Sequence, residues 1–229
     1  NNIKLYSEFS QLSGKTLNPY DSEDESQQVL HNNYDDKLGY GLIPFGLKAE
    51  WEKVTLTIDY RQNSENYVFN FWDQNYDHNR AMVNSDNNVV TKEDNLYKYG
   101  KSKGGNISIS SNFLKYFYLN MSYQHLDGNK WDTELKDYKS DQNSTFYTKL
   151  DIDTSKINKV RVAEIFYKQS YASKPFSFKS DENTLFGYNI GVEMADNMVL
   201  VLKGRKSYVN DNGTYRPVKT TQIETQVIF

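Results

Sequence analysis

Alternation of apolar and polar side chains is the feature that most constrains how this 229-residue chain can fold. A period of two residues is typical of β-strands that have one apolar and one polar face. The pattern recurs along the whole chain, in the segments 3–10, 43–52, 54–61, 97–109, 117–124, 146–152, 186–194, 198–205 and 222–229. We therefore predict an all-β fold of about ten antiparallel strands.

One segment, Val160–Tyr171, fits the alternation poorly, because either choice of faces leaves a fault. We assign Ala163, Ile165 and Tyr167 to the apolar face, which places Glu164 on the polar face. A β-bulge near Phe166 would accommodate the fault, since a bulge adds one residue to one strand of a pair.

The predicted connections fall into two classes that alternate along the chain. Short turns lie near residues 52–53, 111–115, 154–159 and 195–197, and long polar stretches lie near 13–36, 62–96, 127–144, 172–183 and 209–219. All short connections then lie at one end of the sheet and all long ones at the other. This arrangement predicts up-and-down topology.

The composition favours strands and excludes several other classes. Only 37% of the residues are hydrophobic, but 15% are aromatic, whereas disordered chains are poor in aromatic residues. A net charge of -3 argues against a nucleic-acid-binding surface, which would be basic. The chain has no cysteine, so disulfides and thiolate metal sites are excluded, and nothing in it implies a cofactor.

Aromatic residues crowd the ends of the predicted strands, as they do at the two interfaces of a membrane barrel. They are Trp51, Tyr60, Tyr67, Tyr97, Tyr99, Tyr123, Tyr167, Tyr171, Tyr208 and Phe229. A soluble β-sandwich would also show alternation, but not these girdles together with strictly alternating loop lengths. We predict a single transmembrane β-barrel domain over residues 1–229.

The last strand resembles the closing strand of bacterial outer-membrane β-barrels. Its outward residues are Ile223, Thr225, Val227 and the terminal aromatic Phe229. The resemblance implies an outer-membrane location, short periplasmic turns, long outer loops, and recognition of this strand by the barrel-assembly machinery. It also implies contact with outer-membrane lipid and lipopolysaccharide, with protein partners at the outer loops as a further option.

A membrane barrel must close, because an unpaired backbone group in hydrocarbon costs several kcal/mol. We therefore expect the first strand, residues 3–12, to pair with the last, residues 220–229. A chain in which these two strands did not pair would be the C-terminal part of a larger barrel.

The inward-facing positions carry charges of both signs. These candidate lumen-lining residues are Lys4, Glu8, Lys48, Glu50, Asp59, Arg61, Lys149, Asp151, Glu164, Glu193, Lys203, Arg205 and Glu224. Such charges should pair in a barrel of ten strands, because its interior is narrow. A plugged barrel would act as an adhesin, an anchor or a subunit of an outer-membrane complex. A lumen that stays open would form a narrow porin for small solutes.

A third alternative is a hydrolase at the outer rim. His125 and Asp127 lie where the fifth strand meets its loop, and Asp73, Asp77 and His78 lie in an earlier loop. This set resembles the omptin proteases, which are ten-stranded outer-membrane barrels with acidic residues and a histidine–aspartate pair near the rim. The order of aspartate and histidine is reversed here, so no catalytic residue is assigned.

Three further segments have a structural interpretation. The acidic residues 21 and 23–25 are predicted to form a solvated loop rather than a calcium site. The aromatic stretch Tyr67–Trp72 is predicted to extend the third strand, with folding into the barrel mouth or presentation of a contact surface as the alternatives. Gly104 and Gly105 indicate a kink within a strand or the close packing of a large interior side chain.

Overall fold

The fold was analysed in a computed structural model. The structure describes residues 1–19, 34–36, 38–72, 76, 80–83, 89–113, 115–172, 174–211 and 213–227. Several residues named in the sequence analysis lie outside these ranges. They are the acidic cluster at 21–25, Asp73, Asp77, His78 and Phe229, the last residue of the strand predicted to be recognised by the barrel-assembly machinery.

The regular elements of the described residues are β-strands and a short 3-10 turn at Leu96–Lys98, joined by turns and irregular segments. The strands are β1 (Asn2–Gln11), β2 (Thr16–Leu17), β3 (Tyr34–Asp35), β4 (Tyr40–Glu50), β5 (Val54–Asn63), β6 (Ala81–Val83), β7 (Val89–Thr91), β8 (Tyr99–Phe113), β9 (Phe117–Asp132), β10 (Asp137–Ile152), β11 (Val160–Ser170), β12 (Thr184–Ala195), β13 (Met198–Asp211) and β14 (Thr214–Val227). Ten of them form one antiparallel sheet in the order β1-β4-β5-β8-β9-β10-β11-β12-β13-β14. The prediction of an all-β fold with ten antiparallel strands in up-and-down order is confirmed.

The register gives the sheet two chemically different faces. Residues directly opposite each other on neighbouring strands share a face. One row runs through Leu5, Leu47, Ile58 and Ile107, and belongs to what we call the apolar face. The adjacent row runs through Lys48, Thr57, Ser108, Ser122 and Tyr147, and belongs to the polar face.

Many large side chains of the apolar face are exposed. Leu5 is 81% exposed and Ile223, near the other edge of the sheet, is 64% exposed. On β8 this face is uncharged from Gly105 to Phe113, a distance of roughly 26 Å along the strand at ~3.3 Å per residue. A tilt of about 40° would reduce that to a height of roughly 20 Å, close to the apolar band of an outer-membrane barrel.

The strands β1 and β14 form the two edges of the sheet, and among the described residues they are not hydrogen-bonded to each other. Both edge strands are exposed along nearly their whole length. Closure through a pair between the first and last strands therefore stays a prediction.

The prediction of a long loop is wrong for two segments. The stretch 127–144 is the upper part of the β9–β10 hairpin, which turns within residues 133–136. The stretch 209–219 is the upper part of the β13–β14 hairpin, which pairs as far as Asp211 and Thr214. Backbone pairing does not require an apolar face, so a strand that continues beyond the apolar band has no hydrophobic alternation to reveal it.

The register of β11 decides on which face Glu164 lies. Glu164 lies opposite Asp151 and Asn189 on the polar face, which confirms the choice made from the sequence. The irregularity in β11 lies between Val160 and Val162, so the prediction of a bulge near Phe166 is wrong.

A second bulge, in β4 between Leu42 and Phe45, was not predicted. The extra residue reverses the alternation at that point. Ile43 is therefore buried on the polar face, and was wrongly grouped with Phe45 and Leu47.

The aromatic stretch Tyr67–Trp72 does not extend β5. Asn66 and Asn70 both have a φ of 59°, a left-handed conformation that asparagine tolerates and a strand does not. The chain turns back instead, and Tyr67 and Phe71 pack into a small core with Leu12 and Leu96. The prediction that the stretch extends the third strand is therefore wrong, and the segment lies against the polar face of the sheet instead.

The two adjacent glycines in β8 have different environments. A Cβ atom on Gly104 would lie 2.0 Å from the backbone oxygen of His125, whereas one on Gly105 would have no neighbour within 4 Å. The close neighbour of Gly104 is thus the backbone of the adjacent strand, and not the large interior side chain that the sequence led us to expect.

Candidate functional site

A half-open cavity of about 540 Å³ lies on the polar face of the sheet. Strands β5, β8, β9, β10 and β11 supply one wall, and the segment 68–72 supplies part of the opposite wall. A volume between roughly 300 and 1,000 Å³ is characteristic of pockets for small molecules. This cavity is the candidate functional site.

Neutral hydrogen-bonding side chains dominate the strand wall of the cavity. They project from alternate positions of successive strands, because every second residue of a strand faces the same side. The amides are Asn106, Asn120, Gln124 and Asn143, and the hydroxyls are Ser108, Ser122, Thr145 and Ser170. Arg61 and Lys168 are cationic, and none of the described lining residues is acidic.

Arg61 is held by a buried network at the inner end of the cavity. Its Nε donates to Oδ1 of Asp59 at 2.6 Å and its Nη1 donates to Oε1 of Gln124 at 2.7 Å. Asn106 Nδ2 donates to Oδ2 of the same aspartate at 2.9 Å. The Asp59 side chain is only 1% exposed, so this carboxylate offsets the charge of Arg61 where water has little access.

Aromatic rings line the other side and the rim. Phe69 lies over Arg61, with the guanidinium carbon 5.1 Å from the ring centre. Trp72 and Tyr171 border the same space, and Trp72 is 65% exposed. A large exposed ring beside a polar cavity offers a flat surface on which a ligand ring can stack.

Most of the other predicted lumen-lining residues form ion pairs outside the cavity. At the short-turn end of β1 and β4, Glu50 accepts from Lys4 at 3.1 Å and from Lys48 at 2.7 Å. Both pairs join residues of the polar face. The charges are thus compensated locally.

A second group of charges lies on β10 to β14. Lys149 Nζ is 3.0 Å from Asp151 and 3.6 Å from Glu164, and Lys203 is 2.6 Å from Glu224. The pairs Lys149–Glu164 and Lys203–Glu224 connect neighbouring strands on the polar face, and Lys149–Asp151 lies within β10.

Three predicted residues have other surroundings. Glu193 pairs with Arg161. Arg205 donates to the backbone oxygen of Tyr188 at 3.0 Å and lies over the ring of Phe166 at 4.8 Å. Glu8 lies exposed on the edge strand β1.

Of the thirteen predicted lumen-lining residues, only Arg61 lines the cavity. The prediction concentrated on charges and overlooked the neutral amides and hydroxyls of the same face. Their spacing was visible, since Asn106 and Ser108, and Asn120, Ser122 and Gln124, occupy alternate positions of two strands. The contribution of Phe69 and Trp72 could not be read from the sequence, because it depends on how the segment after β5 folds back.

The histidine and aspartate that suggested a hydrolase lie on the apolar face, His125 at the edge of its uncharged band and Asp127 beyond that edge. His125 Nδ1 is 2.8 Å from Ser144 Oγ, and its Nε2 is 3.7 Å from Asp127 Oδ1. Ser144 is only 2% exposed, so its hydroxyl is not accessible to an acyl substrate. This arrangement gives no support to nucleophilic catalysis.

A charged pair stabilises the outer end of the β9–β10 hairpin, outside the apolar band. Lys139 donates to Asp132, whose other oxygen accepts from the backbone N–H groups of Glu134 and Leu135 at 2.9 and 3.2 Å. These bonds, that of Lys139 above all, hold the pKa of Asp132 below its ordinary value.

No protein-family model matches this chain, and no curated protein matches its sequence at a significant level. No helix in the described ranges is long and apolar enough to cross a bilayer. Within the same ranges, no group of three acidic or histidine side chains could hold a metal ion. The fold and the cavity therefore define the class on their own: an antiparallel up-and-down sheet with one apolar face and a ligand-sized pocket on the other.

Proposed function

We propose that this chain is an integral outer-membrane β-barrel protein whose polar face lines a narrow path for small solutes. The observation that carries the proposal is the division of one sheet into two faces. One face is apolar, uncharged over a bilayer-sized band and exposed, and the opposite face holds paired charges and a ligand-sized cavity.

The exposed apolar face favours a lipid environment over water. Soluble monomers rarely expose an apolar patch larger than a few hundred Å². Here large apolar side chains are exposed on strands from one edge of the sheet to the other, including Leu5, Phe45, Ile107, Ile190 and Ile223. In a bilayer this same surface would be in contact with acyl chains.

The two edges must be hydrogen-bonded if the sheet spans a membrane, because hydrocarbon offers no substitute partner. The edge of β1 and the edge of β14 are both available for such pairing. Pairing of β1 with β14 would close the sheet into a barrel, and pairing with further strands would enlarge it.

The local pairing of charges favours a path for neutral or weakly charged solutes. Buried charges that are paired contribute little net field to a lumen, and unpaired rings of one sign would be expected in an ion-selective pore. The polar face has ion pairs at its short-turn end and neutral side chains around the cavity.

A plugged barrel is the second candidate, and the segment 68–72 favours it. This segment lies against the polar face, where Phe69 contacts Arg61. A barrel filled in this way would display its loops as an adhesin or anchor, without passage.

Reconstitution distinguishes these alternatives. The urea-unfolded chain is diluted into phosphatidylcholine vesicles, and we expect it to float with the lipid. A folded monomer that stays in the aqueous fraction would contradict the membrane assignment.

Planar-bilayer recording then tests passage. We expect steps of ionic current above leak. The conductance should grow in Phe69→Ala, because that ring narrows the cavity, and stay unchanged in Phe45→Ala on the apolar face. A protein that floats with vesicles but never conducts is a plugged barrel.

A further inference from the structure

The cavity on the polar face has a wall chemistry more specific than that of a general passage. Cross-strand partners Ser108, Ser122 and Tyr147 form one row of its wall, and Asn106, Gln124 and Thr145 form the next. The first row therefore presents three hydroxyl groups and the second presents two amides and a hydroxyl, at the strand spacing of roughly 4.8 Å.

Amides and hydroxyls suit a ligand that is itself both donor and acceptor. An amide side chain offers two N–H donors and a carbonyl with two lone pairs. The bond from Arg61 Nη1 to Gln124 occupies only part of that capacity, and so does the bond from Asn120 Nδ2 to Ser110 at 3.0 Å. A ligand rich in hydroxyl groups would match such a surface at many points.

The aromatic side supplies the second half of the recognition. Phe69, Trp72 and Tyr171 border the cavity opposite or beside the amides. A pyranose ring has a polar rim of hydroxyl groups and a flat face of C–H groups, and that flat face packs on aromatic rings. A wall of amides and hydroxyls facing a wall of rings therefore matches both surfaces of a sugar.

The charges of the site do not favour an anion. The Arg61 guanidinium is neutralised by Asp59 at 2.6 Å and is engaged with Gln124 at 2.7 Å. Lys168 is the second cation of the wall, and it also interacts with other groups of the protein. A phosphorylated ligand would need clustered cations that are free to reorganise around it.

We propose that this cavity binds a neutral saccharide, of the size of a short oligosaccharide. The inference deepens the proposed function, since it names the solute class of the same face. Binding to the cavity does not require passage, however, so the two claims can fail separately. The sugar can be free or the headgroup of a glycolipid, because the chemistry recognised is the same.

Isothermal titration of the folded protein in lauryldimethylamine oxide micelles tests the proposal. This detergent has no sugar headgroup and cannot occupy the site. The probes are maltotriose, chitotriose and lactose, with glucose 6-phosphate as the anionic comparison. We expect saturable binding of at least one neutral sugar. Binding of the phosphorylated sugar alone, or of none of the probes, would overturn the proposal.

Two pairs of variants locate the binding. Trp72→Ala should weaken it by about tenfold, the loss expected when a stacked ring is removed, and Trp51→Ala at the β4–β5 turn should leave it unchanged. Ser108→Leu fills the cavity and should abolish binding, whereas Thr57→Leu, its partner in the same row but outside the cavity, should not. Affinity that survives both Trp72→Ala and Ser108→Leu places the sugar elsewhere and refutes the assignment.

Dodecyl maltoside separates the two sources of sugar. Displacement of bound maltotriose at micromolar glycoside indicates a glycolipid headgroup site, and displacement only at the affinity of free maltose indicates a site for free sugar. Binding without current in the bilayer experiment would support the saccharide site within a plugged barrel. Current without binding would support passage and refute the saccharide site.

Discussion

A single lysine in the middle of the apolar band should destabilise the protein strongly if that band lies in hydrocarbon. Ile109 is the central residue of the uncharged stretch of β8 and lies between Leu56 and Met121 of the neighbouring strands. The substitution Ile109→Lys places an ammonium group at that depth. No neighbour in its row can pair with the charge.

The expected magnitude follows from the position. A lysine at the bilayer midplane costs ~2–4 kcal/mol, and near the interface only ~0–1 kcal/mol. The first value corresponds to a decrease of roughly 30- to 1,000-fold in the folded-to-unfolded ratio. Phe113→Lys, at the end of the same face of β8, should show only the interfacial cost.

The matched control is Ser110→Lys, which lies next to Ile109 on the same strand and faces the polar side. Its side chain would enter a polar environment near Asn120, so we expect a change below about 1 kcal/mol. The three variants and the parent chain are compared by urea titration in vesicles, with tryptophan fluorescence as the signal. Equal costs at Ile109 and Ser110 would refute the lipid assignment.

Two other predictions concern local structure. Gly104→Ala should destabilise the sheet, because its Cβ would lie 2.0 Å from the His125 backbone oxygen. Gly105→Ala should be neutral, because its Cβ would have no neighbouring atom within 4 Å. Urea titration compares the free energies of unfolding of the two variants. At the hairpin end, Lys139→Ala should raise the depressed pKa of Asp132, as measured by carboxyl ¹³C shifts. Because that pKa is lowered on folding, its contribution to stability is present above the unfolded value and is lost as pH falls through the folded one; an unchanged pKa in the variant would contradict the pairing.

The sequence predicted the strands wherever one face is apolar. Segments such as 54–61 and 117–124 alternate because one side of the sheet excludes polar groups. This constraint produces a period of two residues in the sequence of apolar and polar side chains. Where both faces are polar the constraint disappears. The upper parts of β9, β10, β13 and β14 were therefore mistaken for loops, although their backbones are fully paired.

The candidate site was only partly predictable, for a related reason. The charged residues predicted to line a lumen share the polar face, but their ion pairs lie mostly outside the cavity. The cavity depends on a tertiary feature, the return of the chain at Asn66 and Asn70 that places Phe69 and Trp72 over the strands. Alternation cannot reveal such a fold-back, since it records only which side of a strand each residue faces.

Site-directed spin labelling along β8 tests the central claim most directly. The chain has no cysteine, so single cysteines at Ile107, Ser108, Ile109 and Ser110 carry one label each without background. In vesicles, the account predicts that labels at Ile107 and Ile109 collide mainly with dissolved oxygen, and those at Ser108 and Ser110 mainly with a polar nickel complex. Equal access of the nickel complex to all four labels would contradict the account.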